Sequence, residues 1–86
     1  MTVQEKQERY HHFKEFHPDR LLLWRTDDNE SFEIFEEDAR EASRILGLSI
    51  IELGGDISFS AVTFPACLLD TYLRRLVGFG YRLALI

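Results

Sequence analysis

The side chains of this 86-residue chain that could do chemistry are three histidines, one cysteine, fifteen acids and ten bases. His11, His12 and His17 lie close together, but adjacent helical positions project about 100° apart. No nearby helical acid completes a facing set of metal ligands, so they read as solvated surface histidines. Cys67 is the sole cysteine, which excludes an intrachain disulfide framework and a cysteine-built zinc site. It falls in the first turn of a predicted helix, where the helix dipole could lower its pKa. Without a histidine placed as its base it reads as a partly buried small residue. Gly78 and Gly80 follow a helix instead of opening one, so they make no phosphate loop, and no Walker motif or ATP site is present. A small nuclease would need acids clustered with a lysine, and the only lysines are Lys6 and Lys14. The chain therefore reads as a non-enzyme with no metal and no cofactor.

Charge is spread unevenly. The net charge is −5, yet the stretch from Asp27 to Glu41 holds eight acids and the single base Arg40, which leaves the rest of the chain slightly positive. A nucleic-acid domain normally shows a basic patch, because phosphate neutralisation and counterion release supply most of the affinity. Here the balance points the other way. The acidic run reads either as a solvated helix face plus a loop, or as a docking surface for a basic protein partner through Asp27, Asp28, Glu30, Glu36 and Glu37.

The elements that must position these residues follow from pattern. Hydrophobic residues make up 45% and charged residues 29%, a globular balance, and the length allows one domain over residues 1–86. No apolar run reaches a membrane span and no signal-peptide order opens the chain, so a cytoplasmic protein is expected. Thr2 and Glu5 have capping-box spacing, which predicts a helix from about residue 3 with Tyr10, Phe13 and Phe16 as its apolar stripe. His17-Pro18-Asp19 ends it. Leu21 to Trp24 is a continuous apolar run, predicting a strand buried on both faces. Thr26 to Asn29 is a turn, and a short strand is expected over Glu30 to Ile34.

Phe35, Ala39, Ala42 and Leu46 then recur at helical spacing up to Gly47, a left-handed cap, with Glu36–Arg40 and Glu41–Arg44 paired on the wet face. Leu48 to Leu53 and Ile57 to Phe64 read as a hairpin about Gly54-Gly55-Asp56. Pro65 is expected at the first position of a third helix, whose stripe is Leu68, Leu69, Tyr72, Leu73, Leu76 and Val77. Tyr81 to Ile86 forms a last strand after Gly80. The predicted order is α-β-β-α-β-β-α-β, an α/β (α+β) fold with a mixed sheet of about five strands packed by three helices.

Residues 32 to 46, Phe-Glu-Ile-Phe-Glu-Glu-Asp-Ala-Arg-Glu-Ala-Ser-Arg-Ile-Leu, resemble the N-terminal domain of the MutS DNA mismatch-repair proteins. That family typically reads G-D-F-Y-E-L-F, then acids, then A-x-x-A-S-x-x-L. Upstream, Tyr10 to Phe16 and Leu21 to Arg25 are similar to the family's helix and L-L-F-Y-R strand. Downstream, Pro65, Asp70, Tyr72, Leu73, Leu76, Val77, Gly80, Tyr81 and Ala84 follow its P-Y-H-A-L-D-x-Y-L-x-x-L-V-x-x-G-Y-x-V-A-I segment in order. The resemblance covers nearly the whole chain and implies the mixed sheet with three helices already read from pattern.

It also implies a DNA-facing site. In the family, the phenylalanine of F-Y-E wedges beside a mispaired base and the glutamate two residues on, sharing its strand face, hydrogen-bonds to that base. Alignment on Phe-Glu-Ile-Phe puts Glu33 at the glutamate, Phe32 at the tyrosine and Ser31 at the wedge. A serine cannot stack on a base. The family's G-D is replaced by Thr-Asp-Asp-Asn-Glu, about two residues longer and more acidic, and its M-A-G-V-P-Y-H loop by Ala-Val-Thr-Phe-Pro-Ala-Cys. Phe35-Glu36-Glu37 also spells F-x-E, but four residues late and on a predicted helix stripe. The implied DNA site is thus Ser31 and Glu33, with Arg25, Arg74 and Arg75 for phosphates, binding duplex DNA weakly and with little mismatch preference. The alternative is an interaction module that keeps the fold and has lost mismatch recognition. Nothing of the family's clamp or ATPase is present. Met1 and the helix cap read as a natural N-terminus, and whether the chain stands alone or is a fragment stays open.

Overall fold

The computed structural model describes residues 2–55 and 58–86. Helix α1 spans Val3–Phe16, strand β1 Arg20–Arg25, β2 Ser31–Phe35, helix α2 Glu36–Leu46, β3 Ile51–Glu52, β4 Ser60–Pro65, helix α3 Leu69–Gly78 and β5 Arg82–Leu85. A 3-10 turn, Ala66–Leu68, joins β4 to α3. The five strands form one sheet in the order β3-β4-β2-β1-β5. All pairs are antiparallel except β1 with β5, which run parallel, so the sheet is mixed. The expected element order and α+β architecture are both present.

Two hydrophobic layers cover the two faces of the sheet. Leu21, Leu23, Phe32, Ile34, Val62 and Phe64 face α2 and α3, which contribute Ala39, Ala42, Leu46 and Leu76. Leu22, Trp24, Phe35 and Ala61 face α1, which brings Tyr10 with Val3 and Phe13 beside it. β1 lies between β2 and β5 with helices on both sides, which is why Leu21 to Trp24 is apolar without alternation. β2 alternates only as far as its face requires: Phe32 and Ile34 look one way, Glu33 and Phe35 the other.

Several boundaries differ from the pattern reading, each for a local reason. Phe16 is 68% exposed, because the line of α1 that meets the sheet runs through Lys6, Tyr10 and Lys14 instead. Phe35 is the last residue of β2 and packs under α1, on the face opposite Ala39, Ala42 and Leu46, so it is no part of the α2 stripe. The reversal of face is made by Glu36, whose φ of 53° turns the chain sharply from strand to helix. The Glu36 carboxylate then accepts the Ser60 N–H at 2.9 Å. Arg40 consequently pairs with Glu37 and not with Glu36. The expected Glu41–Arg44 pair is present, and Tyr81 donates its hydroxyl to the same carboxylate.

The β3–β4 hairpin is shorter than expected, Ile51–Glu52 against Ser60–Pro65; Asp56 and Ile57, assigned to its turn and second strand, lie outside the described residues. Pro65 ends β4 instead of opening α3, since the 3-10 turn intervenes. That turn carries Cys67 outward, so the thiol is exposed and not part-buried. Val77, assigned to the α3 stripe, is 59% exposed. Among the described residues no helix is long and apolar enough to cross a membrane.

Candidate nucleic-acid interface

One end of the sheet gathers the residues singled out by the F-Y-E comparison. Ser31 opens β2 there, paired with Pro65 at the end of β4. The turn from Thr26 to Glu30 is ordered by its own polar groups. Thr26 Oγ1 donates to Asp28 Oδ1 at 2.6 Å, the Glu30 N–H reaches the same oxygen at 2.9 Å, and the Ser31 N–H donates to Thr26 Oγ1 at 3.1 Å. Asn29 takes a φ of 62°, a conformation its short amide side chain tolerates. The bonds from Thr26 and the Glu30 N–H hold the Asp28 carboxyl below the usual carboxylate range. The Glu30 carbonyl accepts the Ala66 N–H at 2.8 Å, which locks this turn against the 3-10 turn after β4. Thr26 to Glu30 therefore form a closed turn, with Asp27, Asp28 and Glu30 exposed.

Glu33 sits two residues along β2, opposite Trp24 on one side and Thr63 on the other. Its carboxylate is already engaged. Lys6 Nζ lies 3.0 Å from Oε1 and 3.2 Å from Oε2. The Glu33 side chain keeps only 14% of its surface exposed and that of Lys6 23%. Lys6 and Lys14 stand eight residues apart on α1, about 12 Å along the helix axis. Lys14 makes the matching contact at the other end, 2.8 Å to Asp38 Oδ1, while Asp38 Oδ2 accepts the Leu22 N–H at 3.1 Å. Burial pushes the Asp38 carboxyl up, opposed by these bonds. Sequence reasoning missed both pairs. Their signal was available: the only two lysines recur at a spacing that puts them on one helix face.

Beside Lys6 and Glu33 opens a cleft of about 390 Å³, lined also by Arg9, Trp24, Asp28 and Phe35. Arg9 lies 5.3 Å from the Trp24 ring and Lys6 5.8 Å from Phe35, cation–π distances that keep both cations at the cleft wall. Arg25 stacks 4.9 Å from the Phe32 ring centroid. Arg74 and Arg75 are exposed on α3, which covers the sheet face opposite α1, so the fold does not bring them beside Glu33. The acids of the interaction reading divide likewise. Asp27, Asp28 and Glu30 stand at the Ser31 end of β2, whereas Glu36 and Glu37 follow its far end, about 17 Å along a five-residue strand. Among the described residues no group of three or more His, Cys, Asp or Glu could hold a metal ion.

The family model that fits this chain is MutS domain I, matched over residues 4–86. The chain belongs to the MutS domain I family. Similar proteins are the DNA mismatch repair protein MutS of Cytophaga hutchinsonii, 44% identical over 78 residues, and those of Porphyromonas gingivalis, 42% over 78, and Rhodopseudomonas palustris strain BisB5, 41% over 81. These alignments take in 88%, 88% and 90% of the chain but only 9%, 8% and 8% of the relatives. The chain thus spans under a tenth of the length of the MutS proteins it matches. In this MutS domain I the strand β2 holds Ser31 and Glu33 on the α1 side of the sheet, and the Thr26–Glu30 turn meets the 3-10 turn after β4 at the Glu30–Ala66 hydrogen bond.

Proposed function

We propose that this MutS domain I serves DNA mismatch repair as a non-catalytic duplex-binding module in the cytoplasm. It meets DNA with the sheet end that carries Ser31, Glu33 and the Thr26–Glu30 turn. The observation that carries the reading is the family match across residues 4–86; β2 sets Ser31 and Glu33 on one strand face, the spacing that the resemblance gives to the wedge and the glutamate. Chemistry then limits the strength of the contact. A wedge acts by taking the place of stacking at a kinked step, and a hydroxymethyl group offers no ring to do so. The exposed acids of the turn oppose phosphate approach, and Arg25 and Arg9 only partly offset them. Binding is therefore weak and salt-sensitive, with little preference for a mispair.

The test is a low-salt fluorescence titration of a G·T-mismatched duplex and its matched twin against the parent chain and Ser31→Phe. Both proteins bind in a salt-sensitive way if the scaffold is the DNA-facing unit, and only the variant gains any mismatch preference, a modest one of up to about threefold. Failure of either duplex to bind below about 100 μM, the weak end of ordinary non-specific affinity, would sink the reading. A second reading, a module that docks a basic protein, is favoured by the exposed carboxylates of Asp27, Asp28 and Glu30 at this same end.

A further inference from the structure

We propose that Lys6 is the specificity-determining residue of this interface: it bridges both oxygens of the largely buried Glu33, so a base must compete with it for that carboxylate. The inference rests on the reading that DNA meets this end of the sheet. Its basis is the near-equal approach of the Lys6 ammonium to the two carboxylate oxygens, 3.0 and 3.2 Å. A base edge brings a neutral N–H, whereas Lys6 brings a full positive charge, whose Coulomb attraction to the carboxylate adds to the hydrogen bonds it makes. The competitor is at a disadvantage before sterics enter.

Lys6 is also delivered, not merely tethered. The capping box of Thr2 and Glu5 starts α1 just before it, with reciprocal bonds of 3.1 and 3.2 Å. Tyr10 is buried in the middle of the helix, and the Lys14–Asp38 pair pins the far end. α1 is therefore anchored along its length, which fixes the root of the Lys6 side chain beside Glu33. The adjoining cleft, with Asp28 among its lining residues, gives the side chain an alternative position beside an acid. Two arrangements follow: Lys6 on Glu33, with the carboxylate closed to a base, and Lys6 swung into the cleft, with the carboxylate open.

The experiment uses the parent, Lys6→Met, Ser31→Phe and the double variant, each titrated at low salt with the G·T duplex and its matched twin. Circular dichroism checks folding, and Lys6→Gln replaces Lys6→Met if the latter unfolds. The mismatched-to-matched affinity ratio should stay near one in the parent and in Lys6→Met, which have no wedge. It should remain below about threefold in Ser31→Phe and reach about tenfold in the double variant, the worth of one hydrogen bond to a charged group. Adding Glu33→Gln to the double variant should return the ratio towards one, which a merely structural role for Lys6 would not predict. If Ser31→Phe alone matches the double variant, Lys6 is no barrier and the DNA reading stands without it. Measurable binding with a ratio near one in all four also overturns the role of Lys6. Absence of binding by all four overturns both readings.

Discussion

Tyr10 illustrates how a single buried polar group ties stability to pH. Burial pushes its phenol well above the ordinary tyrosine range, the nearby Asp38 charge adds to the rise, and a hydrogen bond with the Asp38 backbone opposes it. Between about pH 10, where an unfolded tyrosine ionises, and the higher folded value, the unfolded chain sheds a proton that the folded chain keeps. Stability is therefore whole below about pH 10 and falls as pH rises beyond it. Tyr10→Phe should cost about 1 kcal/mol at neutral pH, for the lost hydrogen bond. It should also lose less between pH 8 and 10.5 than the parent in urea titrations. Tyr81, whose phenol is raised by its bond to Glu41, keeps a part of the alkaline loss in both proteins. None of this is legible in the sequence, where Tyr10 is only one member of an apolar stripe.

At the scale of elements, α1 shows why a hydrophobic pattern misjudged a docked helix. Its apolar content is thin, and the face it presents carries Lys6 and Lys14 flanking Tyr10. β2 answers with Glu33 and the first turn of α2 with Asp38, so polar pairs do part of the docking that apolar area does for α2 and α3. Lys14→Met leaves the half-satisfied Asp38 carboxylate buried without its cation. Removing one partner of a fully buried pair costs roughly 3 to 5 kcal/mol. Lys14 is a quarter exposed, so about 2 kcal/mol is expected at pH 7 by urea denaturation. The deficit should shrink towards pH 4. Without Lys14 the Asp38 pKa rises further above its unfolded value, and protonation removes the uncompensated charge in the folded state first. A variant deficit independent of pH would show that the pair contributes through packing alone.

Across the whole molecule, a charge run that is continuous in sequence becomes two separated groups. β2 carries Glu36 and Glu37 away from Asp27, Asp28 and Glu30, while Glu33 and Asp38 are neutralised by α1. Reversing Asp27, Asp28 and Glu30 to lysine should tighten low-salt duplex binding about tenfold or more and steepen its loss between 50 and 200 mM salt. Reversing Glu36 and Glu37 should do neither, since they lie at the far end of the strand. If the docking reading is right instead, the triple reversal abolishes retention of a basic protein and leaves duplex affinity unchanged. Periodicity and turn chemistry sufficed for the order of helices and strands and for the Gly47 cap, because each rests on neighbours a few residues apart, and the resemblance of residue strings sufficed for the family. They also put Ser31 and Glu33 on one strand face, since side chains alternate along any strand. Which ionic groups are spent inside the molecule depends on contacts between residues far apart in the chain, 27 residues for Lys6 with Glu33 and 24 for Lys14 with Asp38. No local pattern encodes those distances, so the closing of Glu33, the division of the acids and the separation of Arg74 and Arg75 from the interface were settled only when the helices packed on opposite faces of the sheet.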